Sequence, residues 1–271
     1  MKYLQVQFKE QTAEQNDIVI AMLADIGFEG FEENGQSLKA FIEESKFDKE
    51  AFETIVKSNN LAYTLSLIEQ QNWNAAWESS FEPVIINDFA AVRASFHEPV
   101  KNVQHEIIIT PKMSFGTGHH ATTYLMMEQM SHLDFNGKAV LDFGTGTGVL
   151  AILAEKMGAT SVLAVDNDEW SIDNAQENIA NNTDVHIALQ MAETVSADRK
   201  YDIILANINL NVILQNISLI AGACNPGGTV LLSGFLTSDE AAIKAALQAN
   251  QLAFSLVAQQ KDWICIKAHK L

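Results

Sequence analysis

Ala139-Val-Leu-Asp-Phe-Gly-Thr-Gly-Thr-Gly-Val-Leu150 is the stretch whose reading decides the fold. Val140 and Leu141 end a short apolar strand, Asp142 follows, and Gly144, Gly146 and Gly148 make a turn. Val149, Leu150, Ile152 and Leu153 then open a helix. Strand, glycine turn and helix form the first half of a nucleotide-binding βαβ unit. The glycines let the backbone turn tightly and approach a ligand where a Cβ would collide.

Spacing separates the ligands that such a turn serves. A dinucleotide fingerprint places its third glycine three positions after the second, and Val149 stands there. Here the glycines alternate, with an acid two places before the first. This resembles the glycine loop of S-adenosylmethionine-dependent methyltransferases, whose ligand has no pyrophosphate and needs room only for a methionine moiety and a ribose. The next strand, Ser161–Val165, ends in Asp166, a carboxylate placed to accept both ribose hydroxyls.

The chain has 271 residues, enough for one large or two smaller domains with a sizeable core. Hydrophobic residues make up 48% and charged residues 19%, a balance suited to a soluble globular protein. Cys224 and Cys265 are the only cysteines, which excludes a disulfide framework and a cysteine-rich metal site. The amino terminus alternates polar and apolar residues, unlike a signal peptide, and no apolar run approaches membrane-spanning length. A cytoplasmic protein is expected. The net charge is −17, and residues 1–82 hold 15 acidic against 6 basic residues. Such a field repels a phosphate backbone and attracts basic partners, so no direct reading of nucleic acid is expected.

Leu4, Val6 and Phe8 alternate with polar residues as in a half-buried strand. Ile18, Met22 and Ile26 predict one helical face, stopped by Gly27. Phe28–Glu33 and Leu38–Ile42 flank Asn34-Gly35, a hairpin signal. Phe52, Ile55 and Val56 mark a second helix, and Tyr63, Leu65 and Leu67 a last strand. The order β-α-β-β-α-β is the ferredoxin-like arrangement. Having no glycine loop, nucleophile–base pair or metal spacing, residues 1–70 read as a recognition or scaffolding domain. Trp73, Trp77 and Phe81 form an aromatic stripe on a short helix ended by Pro83, which reads as the joint between domains. Residues 71–100 are thus a linker helix with connecting strands, and Val84–Ile86, Ala91–Phe96 and Glu106–Thr110 are predicted strands.

Gly116 and Gly118 then give the 113–121 segment hinges, as in loops that close over active sites. Thr122 and Thr123 are placed to cap the helix that runs through Met130. The adjacent His119 and His120 point apart on any regular element, a poor metal pair, and no metal is expected. After Asp166, a helix is predicted from Ser171 to Ile179 and a strand over Val185–Leu189. Met191-Ala192-Glu193 follows as a place to grip an adenine. The strand beginning at Tyr201 carries Asn207 at its carboxyl end, so Asp142, Asp166 and Asn207 stand at three strand ends, where open α/β sheets bind ligands. A strand at Val230–Ser233, a helix from Asp239, and a hairpin of Phe254–Val257 with Trp263–Lys267 complete the chain.

Phe115-Gly-Thr-Gly-His-His-Ala-Thr-Thr123 is similar to the loop that identifies the bacterial methyltransferases of ribosomal protein L11, usually Phe-Gly-Thr-Gly-Thr-His-Pro-Thr-Thr. The Trp-x-x-x-Trp segment, Asn207-Ile208, Leu232-Ser233-Gly234 and the small domain in front also resemble that family, and the likeness covers essentially the whole chain. It implies an α/β fold in which a Rossmann-like class I methyltransferase domain, residues 101–271, is preceded by a small α+β ferredoxin-like domain that holds the substrate. It implies methylation of lysine side chains and the amino terminus of the L11 protein, and a monomer is expected. S-adenosylmethionine is then the cofactor and S-adenosylhomocysteine the product. Thr123, Gly144, Asp166 and Asn207 match the family's cofactor-binding positions, with Asp142, Gly146, Phe115 and Thr117 beside them. Ala121 replaces the usual proline, and Asn209-Leu210-Asn211-Val212 replaces a commoner Leu-Ala-Gly-Pro beside the acceptor pocket.

Methyl transfer to an amine needs a free lone pair, whereas lysine, with a pKa of about 10.4, is mostly protonated in water. A drier cleft next to a sulfonium lowers that pKa, so water can take the proton and positioning remains the protein's task. Asn207 either aims the amine lone pair, as a catalytic residue, or only touches the cofactor. A nucleic-acid amino-methyltransferase would carry prolines and an aromatic after such an asparagine, and Ile208-Asn209 cannot stack a base. Another protein or a small-molecule amine is the alternative acceptor, and the extra domain argues against the small molecule. A binding module without activity would have a ruined glycine loop, and this one is intact.

Overall fold

Val6 and Phe8, both fully enclosed, anchor β1 (Tyr3–Lys9) in the first of two compact units, Met1–Ser80 and Phe81–Leu271. The computed structural model describes residues 3–9, 12–34, 37–68, 81–112, 115–182, 187–196 and 198–271. In the first unit, α1 (Ala13–Asp25), β2 (Gly30–Asn34), β3 (Ser37–Glu43), α2 (Lys49–Ser58) and β4 (Tyr63–Ile68) follow β1. The sheet order is β2-β3-β1-β4 with every neighbour antiparallel, the ferredoxin-like arrangement. Thr12 and Gln15 cap α1 reciprocally, and the Asp48 carboxylate accepts the Glu50 and Ala51 amides at the start of α2. Both helices bury residues in one core with β1 and β3: Val19 and Leu23 from α1, Phe52 and Val56 from α2.

The buried face of α1 differs from the one that spacing suggests. Ile18 is 53% exposed, while Asn16, Val19 and Leu23 are enclosed. Two apolar stripes one residue apart share the same helical period, and only the position of the sheet selects the one that is covered. The register Asn34↔Ser37 agrees with a hairpin, though Gly35 of its turn lies outside the described residues. So do Trp73 and Trp77, while Phe81–Pro83 is not helical.

The second unit begins with a three-stranded sheet, β5 (Val84–Ile86), β6 (Ala90–Ala94) and β7 (His105–Ile109). Phe96, expected in the strand, lies in the turn after β6. These strands do not merely connect: Ile86, Val92, Ile107 and Ile109 join the core built on the main sheet. That sheet has seven strands, β8 (Ala139–Phe143), β9 (Ser161–Asp166), β10 (Ile187–Met191), β11 (Tyr201–Asn207), β12 (Cys224–Leu236), β13 (Leu252–Gln260) and β14 (Trp263–Lys270). Their order is β10-β9-β8-β11-β12-β14-β13. Neighbours from β10 to β12 are parallel, and β14 runs antiparallel between β12 and the edge strand β13. Val185, expected to start β10, lies outside the described residues, and β12 is much longer than the Val230–Ser233 that its apolar run suggests.

Helices α3 (Ala121–Met130), α4 (Val149–Lys156), α5 (Glu169–Asn182), α6 (Leu210–Ala223) and α7 (Glu240–Ala249) complete the unit. Successive residues of β8 and β11 enter two different cores. Val140, Ile203 and Leu205 pack with α3 and α4, and Leu141, Ile204 and Ala206 with α6 and α7. Burial on both faces explains the continuous apolar runs of these strands. The order reverses between β8 and β11, which opens a crevice at their carboxyl ends.

Strand β7 ends beside α5, where side chains replace a strand partner. Asn182 accepts the Ile108 amide at 2.7 Å and donates to the Ile108 carbonyl. Asn178 accepts the Thr110 amide at 2.8 Å, and Asn174 donates to the Thr110 carbonyl at 3.1 Å. Four-residue spacing puts all three amides on one helical face. Asn178 also donates to the Thr147 carbonyl in the glycine turn at 2.8 Å. Replacing Asn178 by alanine leaves the Thr110 amide and Thr147 carbonyl unpaired, so the unfolding free energy should fall by about 3 kcal/mol. Urea denaturation of the full chain would measure it, and a loss below about 1 kcal/mol would mean that water replaces the amide.

Candidate functional site

The crevice at the carboxyl ends of β8, β9 and β11 is shaped by the glycine turn. The Gly144 and Thr145 amides both donate to the Val165 carbonyl, at 2.8 and 2.9 Å, which folds the turn over the end of β9. Gly146 donates its amide to Asp166 Oδ2 at 2.9 Å, and Asp168 donates to Oδ1 at 3.1 Å. Gly144 has φ +78°, and a Cβ there would lie 2.0 Å from Ile208 Cγ2. Gly146 has φ +53°, and its Cβ would lie 2.3 Å from the Phe115 carbonyl oxygen. No other residue fits at either position.

The cavity beside the turn has a volume of about 370 Å³. Of the residues that the sequence singles out, Phe115, Gly144, Gly146, Asp166 and Asn207 line it. Asp142, Thr117 and Thr123 are not in that lining. Thr117 turns its hydroxyl to His119 Nδ1, 3.1 Å away. Thr123 is fully buried behind Asn207, and its Oγ1 accepts the Asn207 Nδ2 hydrogen at 3.1 Å. That bond fixes the amide, and Asn207 Oδ1 is buried with no hydrogen-bond partner. Asp142 is fully buried, and its Oδ2 accepts the Thr145 hydroxyl at 2.6 Å while Oδ1 has no partner.

Other residues reach the cavity that periodicity did not single out: His120, Ile208, Gly234 and Trp263. His120, not Thr122 or Thr123, caps α3, its Nδ1 accepting the Thr122 amide at 3.3 Å. Its ring stands edge-on to Phe115 at 5.0 Å and to Trp263 at 4.6 Å. Partial burial lowers its pKa, so the ring is neutral at neutral pH. Trp263 begins a strand that reads from sequence as an edge hairpin. Only the pairing Leu236↔Trp263 brings it to the carboxyl end of β12. His120 and Trp263 also wall a second cavity of about 380 Å³, with Val84, Tyr124 and Lys261. His119 turns away from His120, with Nε2 2.9 Å from the Glu82 carbonyl. Among the described residues no group of three His, Cys, Asp or Glu is placed to hold a metal. Met191 ends β10 opposite Asp166, and Ala192 donates to the Asp166 carbonyl at 2.9 Å.

These groups suit a ligand with ribose hydroxyls and a cationic amine. Each Asp166 oxygen accepts one backbone amide and keeps a lone pair for a hydroxyl. The partnerless Asn207 Oδ1 suits a donor. Asp142 is different: burial, with a smaller contribution from Asp166, raises its pKa to about 7. In the unfolded chain an aspartate titrates near about 3.9. Its raised folded value means a contribution to stability that is full below about pH 4, is lost as pH rises to about 7, and is constant above. Urea midpoints should therefore decline across that window in the native chain relative to Asp142→Asn. Parallel pH profiles would show that Asp142 is ionised in the fold.

A family model described as ribosomal protein L11 methyltransferase (PrmA) matches residues 4–271. The ribosomal protein L11 methyltransferase of Phocaeicola vulgatus is 35% identical, over 98% of this chain and 99% of its own. That of Porphyromonas gingivalis is 39% identical, over 93% and 89%. Among solved structures, the ribosomal protein L11 methylase of Lactobacillus delbrueckii subsp. bulgaricus superposes with a TM-score of 0.65 and 32% identity, covering 70% of this chain and 100% of that one. A Pyrococcus furiosus methyltransferase, at TM-score 0.51 and 17% identity over 60% of this chain and 89% of its own, shares the fold. The chain belongs to the ribosomal protein L11 methyltransferase family, whose members are S-adenosylmethionine-dependent methyltransferases.

Proposed function

We propose that this protein methylates lysine side chains and the amino terminus of ribosomal protein L11, acting as a cytoplasmic monomer. The observation that carries the reading is the meeting of Asp166, Gly144 and Asn207 around one cavity at the switch point of the sheet. S-adenosylmethionine, when bound, supplies an electrophilic methyl group on a sulfonium. Asp166 would accept the ribose hydroxyls, and the bare backbone at Gly144 and Gly146 leaves room beside them. Asn207 Oδ1 would accept a hydrogen bond from an amine. His120 and Trp263, shared by the two neighbouring cavities, would flank the path by which a lysine side chain arrives.

Proton transfer needs no dedicated base in this arrangement. An amine enclosed by the Phe115, His120 and Trp263 rings loses solvation, which favours its neutral form. Asn207 would hold the amine with its lone pair toward the methyl group that S-adenosylmethionine supplies, and such positioning lowers a barrier by several kcal/mol. Asn207 thus serves as the catalytic residue, and Thr123 keeps its acceptor oxygen turned correctly. The first unit, rich in acidic residues, would hold the protein substrate through its basic surface.

Incubation with labelled S-adenosylmethionine and ribosomal proteins, followed by mass spectrometry, tests the reading directly; label confined to other acceptors would refute it. Asp166→Ala should weaken S-adenosylmethionine binding by about 2–3 kcal/mol, because ribose hydroxyls lose charge-assisted bonds. Unchanged affinity by calorimetry would remove Asp166 from the cofactor site. A chain starting at residue 81 should still bind S-adenosylmethionine but lose methylation of L11. Full-rate methylation by that fragment would end the recognition role of the first unit.

A further inference from the structure

Phe115 lines the cavity yet is 50% exposed, so burial alone does not hold its ring in place. Among the described residues, Thr147 holds its backbone instead. Thr147 donates its amide to the Phe115 carbonyl at 3.0 Å and its hydroxyl to the Gly116 carbonyl at 2.7 Å. Thr147 is itself fully buried and does not line the cavity. Its own carbonyl accepts from Asn178 at 2.8 Å, so the donor pair is anchored to α5 as well as to the glycine turn. Gly116 has φ +109°, and a Cβ on it would come within 2.8 Å of Thr147 Oγ1. The bare glycine is what lets this hydroxyl approach.

We propose that Thr147 is a positioning residue for methyl transfer: by clamping the Phe115 and Gly116 carbonyls it sets the Phe115 ring in line with His120 and Trp263. It acts through the Phe115 wall of the cavity and does not itself line it. The inference rests on the reading of this cavity as the methyl-transfer site. The amide half of the clamp survives any side-chain change, whereas the hydroxyl half is removed by Thr147→Val and kept by Thr147→Ser.

The test measures methylation of L11, S-adenosylmethionine affinity by calorimetry, and amide exchange of residues 115–118 in the full chain. Thr147→Val should lower turnover about tenfold and leave cofactor affinity within about twofold, because one buried hydrogen bond is lost away from the cofactor. Thr147→Ser should restore most of the rate. In a Phe115→Ala background, Thr147→Val should cost less than about twofold more, since the two residues act as a unit. Exchange at 115–118 should accelerate in the valine variant even without an acceptor. If valine prevents folding, the comparison of Thr147→Ala with Thr147→Ser carries the same expectation. Turnover equal to wild type, a loss of cofactor affinity as large as the loss of rate, additive losses with Phe115→Ala, or unchanged exchange would each overturn the proposal. A wild-type chain that binds the cofactor but leaves L11 unmodified would instead refute the function, and the exchange measurement would still judge Thr147.

Discussion

The site depends on a steric fit around Ile208. A Cβ on Gly144 would meet its side chain at 2.0 Å, and one on Gly234 would meet its carbonyl oxygen at 2.2 Å. Two glycines, one after β8 and one near the end of β12, thus leave a slot for the residue that follows β11. Interiors packed to crystal-like density do not forgive a misplaced methyl. Because Ile208 is seated in that slot, the preceding Asn207 has a fixed place between the glycine turn and Thr123. The turn in its own right is drawn over β9 by two amides on the Val165 carbonyl and held by Asp166. One chain of contacts therefore relates the acid of β9, the turn after β8 and the amide of β11.

Charge follows the same economy of means. The chain carries a net −17, a field that draws in a basic protein and repels bare phosphate. Within the site, two aspartates sit at adjacent strand ends, and two ionised carboxylates there would oppose one another. Burial resolves the conflict by raising the pKa of Asp142, which receives the Thr145 hydroxyl, while Asp166 stays at the cavity and takes two backbone amides. The same residue type thus serves as a buried acceptor in one place and as a cavity-lining carboxylate in the other, with environment deciding which.

Much of this was legible in the sequence because the strands are apolar on both faces and the turn chemistry is local. Asp142, Asp166 and Asn207 could be placed at or next to strand ends because the apolar runs before them are visible, and Gly144 follows in the turn. The small unit's order was equally visible in alternation and in the signal at Asn34-Gly35. What escaped was whatever depends on which segments become neighbours. The Asn174, Asn178 and Asn182 ladder has four-residue spacing on α5, but nothing local says that a strand edge waits opposite. Trp263 reads as one more β residue until the reversed strand beside β12 carries it to the cavity. His120 was passed over as a cap in favour of Thr122 and Thr123 because Ser, Thr, Asp and Asn are the usual capping residues. The buried face of α1 was lost to degeneracy, since Ile18 and Val19 begin equally periodic stripes.

The hydrogen-bond inventory also limits what chemistry the cavity can perform. Asn207 Nδ2 is committed to Thr123, so the amide presents only an acceptor, and an acceptor can orient an amine but cannot take its proton. His120 looks like a base but is already used: the nitrogen that accepts the Thr122 amide carries no proton, so in the neutral ring the other nitrogen does. Asp166 accepts the Gly146 and Asp168 amides and keeps one lone pair on each oxygen, which in the proposed reading the ribose hydroxyls would fill. The cavity thus offers orientation and partial desolvation but no free base among its described residues. A reaction suited to such a site is one whose nucleophile loses its proton to water before the bond-forming step. Attack of an amine on a methyl sulfonium is of that kind: the cation next to the amine and the aromatic wall around it both favour the neutral form.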